Sequence, residues 1–296
     1  MEIPIHHEKV RLLLEKFLLH DIRNETASSE VSHCFYNFGA KIKVVVKGDK
    51  LAMYLYFTGW DHVQDSVVNY LQNLIGEESE SKVLVDKEVP ENYSVCILLH
   101  KEGKYGKYFC RQLSEVPMIL GANLKMDFDN LRNGGQSLQS HIYQIPLQNK
   151  QCAASITVQA YEDRIVCILP FVYLQGQETD CIIANTILKQ FQQAQRNALS
   201  QGKNVPFCDY SRWNDPPAEL KAFTEDYTSG GKTHAGFLKF TFLHHHLSSK
   251  EKVRNSVGTL LMLNTLVNKS VKETKSRLSA RMRKKKDELE SMLFQV

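Results

Sequence analysis

Gly231-Lys232-Thr233 matches the tail of a phosphate-binding loop. That loop needs a second glycine five residues earlier and a helix directly after it, so that backbone amides cradle phosphate. Asp226 stands at the glycine position, and its charge repels phosphate. The residues that follow read as a strand, so nucleotide binding is not expected. His244, His245 and His246 form the next cluster. Adjacent strand residues face opposite ways, so only His244 and His246 could share a metal. No Cys or carboxylate lies near in sequence to complete the site, and the expectation is a solvated strand end. The acidic pairs Glu162-Asp163 and Glu225-Asp226 fall in expected turns, where solvation explains them. Neither G-x-S-x-G nor H-E-x-x-H occurs. No catalytic, cofactor-binding or metal-binding residue is assigned.

The strongest chemical feature is basic. Residues 250–296 hold twelve Lys or Arg against five Asp or Glu, a net of +7, whereas the rest of the chain nets −3. Arg277, Arg281, Arg283, Lys284, Lys285 and Lys286 lie within ten positions. Three acidic residues follow them, so they do not serve merely as the dipole complement of a helix end. Such a run fits an acidic partner: a protein, a nucleic acid or an anionic lipid.

The element that carries these charges is a long helix. Ser248 and Glu251 have capping-box spacing, and no proline follows to the end. Val257, Leu260, Leu261, Val267, Val271, Leu278 and Met282 trace one apolar stripe. From Ser249 to Leu293 such a helix is about 65 Å long. Either it packs on a partner chain through that stripe or it lies across its own chain.

The elements before it repeat. Helical spacing at Val10 to Leu18 precedes strands at Val31 to Phe38, Ile42 to Val46 and Leu51 to Phe57. A Gly48-Asp49 turn joins the second and third strands. Asp61 caps a helix ended by Gly76, and strands follow near Val83 to Asp86 and Tyr93 to His100. The same order then recurs. Tyr105 to Leu131 is helical in two pieces, interrupted by Pro117 and Gly121 and stopped by Gly134-Gly135. Strands are expected at His141 to Leu147, Gln151 to Ala160 and Ile165 to Tyr173, then a helix capped by Asp180. Strands at Val205 to Asp209 and Phe237 to Leu243 close the set. A surface loop, Tyr210 to Ala235, distinguishes the second copy. The expected class is α+β: two tandem duplicated α/β domains of order α-β-β-β-α-β-β. Each has an antiparallel sheet with helices on one face. The boundaries are 1–102, 103–247 with the loop at 210–235, and 248–296 for the long helix.

Composition bounds the remaining classes. At 296 residues, 43 % hydrophobic and 24 % charged, the chain is neither disordered nor collagen-like, and a net +4 does not make the whole of it a polyanion binder. Seven cysteines include no C-x-x-C pair; they read as free thiols in a reducing compartment. The N-terminus lacks a signal-peptide pattern. The longest apolar run, Ile165 to Leu174, is shorter than the roughly 20 residues a bilayer needs, so no transmembrane segment is expected.

Several motifs together resemble one family, subunit 2 of the actin-related protein 2/3 complex. They are the Phe-rich strand Phe237 to Phe242, the helix start at Arg254-Asn255, Arg281-Met282-Arg283, and Pro216-Pro217 with Glu219-Leu220. Phe35-Tyr36-Asn37-Phe38 and Tyr93-Ser94-Val95 fit more loosely. Leu243 before three histidines and Ser279-Ala280 before Arg281 depart from the family pattern, marking a divergent member. The resemblance implies a structural subunit and not an enzyme, working in the cytoplasmic actin cytoskeleton. It implies pairing with subunit 4, a core that holds the two actin-related proteins, and contact with the mother actin filament. Arg281 and Arg283 carry over by motif; Lys284 to Lys286 are added by charge. No small-molecule substrate is implied. The alternative is a stand-alone basic-helix adaptor for nucleic acid or anionic membrane.

Overall fold

The computed structural model describes residues 12–16, 18–19, 31–37, 40–47, 50–56, 64–75, 82–85, 89–100, 110–111, 114, 120–134, 140–147, 154–223 and 232–293. Gly48-Asp49, Asp61, Gly76, Pro117, Gly135, Glu225-Asp226 and Gly231 lie outside them.

The molecule is α+β and built twice. In the first half, β1 (Val31–Asn37), β2 (Ala40–Lys47) and β3 (Lys50–Tyr56) precede α1 (Gln64–Ile75), β4 (Lys82–Val85) and β5 (Val95–His100). The second half follows with α2 (Ala122–Arg132), β6 (His141–Leu147), β7 (Ala154–Ala160) and β8 (Arg164–Leu174). Then come α3 (Glu178–Ser200), β9 (Phe207–Ser211) and β10 (Lys232–Leu243). The two five-stranded sheets have orders β1-β2-β3-β5-β4 and β6-β7-β8-β10-β9, so one topology is used twice. All pairings are antiparallel. Lys47 pairs Lys50 across the β2–β3 hairpin, and Tyr161 N–H donates to Arg164 O across the β7–β8 hairpin.

Strand alternation places the cores. Ile42, Val44 and Val46 of β2 and Leu51, Met53 and Leu55 of β3 point one way. They meet Leu14, Leu18, Val67 and Leu71 from the helical segments. In the second half Ile165, Cys167, Leu169, Phe171 and Tyr173 of β8, with Leu238, Phe240 and Phe242 of β10, face α2 and α3. β8 is buried on its other face too. Val166 and Ile168 pack there with Phe237 and Leu220, with Tyr161 and Trp213 alongside. That double burial is why β8 reads as one unbroken apolar run.

The structure corrects four local expectations. The loop is shorter than Tyr210 to Ala235: β9 runs to Ser211 and β10 begins at Lys232. Polar Lys232 to His234 and a bulge between His234 and Gly236 break the alternation that would have marked the strand. Part of the loop is not exposed, because the 3-10 turn Ala218–Phe223 sets Leu220 on the outer sheet face and Glu219 pairs with Lys239. Asp180 does not cap α3; the cap position is Gln177, and Asp180 lies in the first turn, where a carboxylate complements the helix dipole. The long helix is capped one residue later than expected, by Ser249, whose Oγ accepts from Lys252 N–H at 3.2 Å.

Candidate partner-binding helix

The long helix, α4 (Lys250–Leu293), has 44 residues and is about 66 Å long. Its two parts meet different surroundings. Val253, Val257, Leu260, Leu263, Val267 and Val271 are buried in the core of the second half, beside α2 and α3, with Leu261 half-buried against it. Val257, Leu260, Val267 and Val271 are thus packed within this chain's own core. The same stripe then continues uncovered. From Lys275 to Ser291 every residue is exposed. Leu278 is 46 %, Met282 72 % and Leu289 57 % exposed.

The change from packed to projecting helix is pinned by polar contacts. Tyr173 OH donates to Asn268 Oδ1 at 3.0 Å, and Asn268 Nδ2 donates to Asn264 Oδ1 at 2.8 Å. Burial, then the nearby Cys181 and Asp180, push the Tyr173 hydroxyl's pKa up, so it stays protonated as a donor. Two turns on, Lys275 Nζ meets Asp180 Oδ1 of α3 at 2.7 Å. Asp180 is largely covered there, so this pair ties α4 to the start of α3. Sequence spacing did not reveal either link, because the partners lie 95 residues apart.

The basic set lies on the projecting part. Arg277, Arg281, Arg283, Lys284, Lys285 and Lys286 are all exposed. Lys285 pairs with Glu288 at 3.5 Å and Lys286 with Glu290 at 3.3 Å, both along the helix surface. Such pairs contribute little and leave the cations available. Arg281, Lys285 and Lys286 border a shallow apolar depression made by Leu278, Met282 and Leu289. An apolar strip with a basic border fits an amphipathic acidic surface.

The other candidates fall out differently. Lys232 and Thr233 pair with Leu174 and Tyr173 in the sheet, so their amides do not form a phosphate cradle. The histidines are not a strand end but a 3-10 turn, His244–Leu247. His246 is buried, and its Nδ1 accepts from Leu243 N–H at 2.9 Å. Burial, then the nearby His245 and Lys252, lower its pKa to about 4. Cys96 and Cys208 are buried and pushed up to about 12, chiefly by burial, which leaves them poor nucleophiles. Among the described residues, no group of three His, Cys, Asp or Glu could hold a metal. Among them, no helix is long and apolar enough to cross a membrane.

A cleft of about 470 Å³ between α3 and α4, floored by Phe240, Phe242 and Leu260, was missed by sequence reasoning. Its lining is drawn from several separate elements, and no local pattern marks it.

Two sheets of one topology, a long helix anchored on the second, and the exposed basic end of that helix are the features of the site. The family model for the Arp2/3 complex 34 kD subunit, p34-Arc, matches residues 55–295, and the chain belongs to that family of structural complex subunits. No curated protein matches the sequence.

Proposed function

We propose that this chain scaffolds the Arp2/3 complex and presents the projecting end of α4 to acidic partner surfaces, the mother actin filament among them. One observation carries the reading: α4 outlasts its own core at Val271 and bears the basic set only beyond that point. Actin's surface is acidic, so Arg277, Arg281, Arg283 and Lys284 to Lys286 have a physical counterpart there. Leu278 and Met282 meet a subunit of the complex, with subunit 4 the first candidate. The two actin-related proteins sit on the assembled core, and the site of action is the cytoplasmic actin cytoskeleton. The chemistry is binding, with no bond made or broken.

Affinity purification of the tagged chain tests the scaffold role. Recovery of subunit 4 and both actin-related proteins is expected, and their absence overturns it. Changing Arg281, Arg283 and Lys285 together to Glu tests the filament role. Co-sedimentation of the assembly with filaments should weaken about tenfold or more at low salt, and the difference should shrink as salt rises. Equal binding across the salt series would count against these residues. A chain that stays monomeric and binds duplex DNA or anionic vesicles instead would be a basic-helix adaptor.

A further inference from the structure

The exposed hydroxyls of α4 are Thr265, Ser276, Ser279 and Ser291, and only Ser276 and Ser279 lie among the basic residues. Ser279 has the more basic setting. Arg277 precedes it by two positions, and Arg281 and Arg283 follow at two and four. Lys275 and Arg283 stand one helical turn to either side on the same face. Arg283 already reaches back, its Nε donating to Ser279 O at 3.5 Å. Lys275 holds Asp180 at 2.7 Å. Ser276 has Lys272 at one turn but Ala280 at the other.

We infer that Ser279 is a phosphorylation site for a basic-directed Ser/Thr protein kinase, and that its phosphate switches off the basic face of α4. Such kinases select substrates by charge pattern, and arginines on both sides of a serine match an acidic substrate groove. The segment is also able to reach the extended form a kinase reads. Residues 275–291 are exposed throughout, and a helix end with few buried contacts opens locally at low cost. In the reaction the bond from the γ-phosphorus of ATP to the bridging oxygen breaks and a bond to Ser279 Oγ forms. ADP leaves, and the hydroxyl proton passes to the kinase's base. The product carries nearly two negative charges and accepts from Arg283 and Lys275. Arg283 is neutralised in place, and Lys275 is drawn from Asp180, the ion pair with the body that lies furthest along α4 among the described residues.

The effect on partners rests on the proposed role of the basic face, and the test separates the two. The purified full chain is treated with Mg-ATP and cyclic-AMP-dependent protein kinase, or with protein kinase C, and the phosphate is mapped by mass spectrometry. Phosphate on Ser279, retained in Ser276→Ala and absent in Ser279→Ala, is expected. No phosphate on Ser279 with either kinase overturns the inference. The phosphorylated chain, in the reconstituted complex, should co-sediment with actin filaments about tenfold more weakly at low salt, and treated Ser279→Ala should bind as before. If the Arg281, Arg283 and Lys285 reversal weakens binding and phosphorylation does not, the switch is overturned and the basic-face role stands. If neither weakens binding, both fall.

Discussion

Two residues show how single positions hold the second half together. His246 has a depressed pKa, near 4 against an ordinary 6.5, because burial and the neighbouring His245 and Lys252 oppose its charge. The unfolded chain therefore binds a proton at a pH where the folded chain does not. Stability from this group is complete above pH 6.5 and falls as pH drops from there toward about 4. The loss is on the order of 2 kcal/mol, and protonation also removes the acceptor for Leu243 N–H. Urea unfolding across this pH range should show that decline in the native chain, and His246→Gln should flatten it; parallel curves would refute the assignment. Gly236 acts through shape. Its φ is +134°, and a Cβ there would stand 2.6 Å from Ser211 O and 2.7 Å from the Tyr210 ring. The bulge it makes presents Ala235 O to Tyr210 OH and Asn185 Nδ2, at 3.1 and 3.0 Å. Gly236→Ala should cost about 2–4 kcal/mol, read as a lower urea midpoint; an unchanged midpoint would mean that the bulge relaxes freely.

At the scale of elements, α4 is one helix in two surroundings, and the division predicts opposite mutational behaviour on a single stripe. Leu260→Ala opens a cavity among Phe240, Phe242 and the α3 face and should destabilise by about 2–5 kcal/mol. Met282→Ser, further along the same line, should change stability by no more than about 0.5 kcal/mol. Thermal unfolding of the isolated chain measures both, and similar losses would show that the arm folds back. This division was not legible in the sequence. Periodicity from Val253 to Met282 is continuous, and where burial ends depends on the reach of the sheet beneath, which no local residue encodes. The strands were far more legible. His141–Leu147 was bounded to the residue because β-branched and apolar residues fill it and polar residues flank it. β10 was read five residues short, since its first turns of chain are polar and bulged. The histidine turn was read as strand because its imidazoles, buried or not, are the same letters. Of the candidate site, the charges were visible in full, as exposed Lys and Arg need no partner to be recognised. The Lys275–Asp180 tie and the Tyr173–Asn268–Asn264 chain were not, since they depend on long-range registration.

For the whole molecule, the modest net charge of +4 divides as +1 over residues 1–275 and +3 over the short projecting arm, 276–296. That separation is a physical arrangement and not only an arithmetic one, because the arm leaves the body before the dense basic cluster begins. On the proposed reading, a strongly basic body would attract the same acidic partners over its whole surface; a near-neutral one leaves the attraction concentrated on the arm. The arrangement makes stability and binding separable. Removing residues 276–296 takes away six Lys or Arg and three Asp or Glu but no residue of the described core. It leaves the Lys275–Asp180 pair and all of Val253 to Val271 in place. The truncated chain should unfold at a midpoint within about 2 °C of the full chain's, since no buried contact is lost. Its incorporation into the complex and co-sedimentation with filaments should fall sharply, because both the apolar strip at Leu278 and Met282 and the basic set are gone. A truncated chain that binds filaments undiminished would move the contact onto the globular body. One that no longer folds would show that the arm, exposed as it is, supports the structure it projects from.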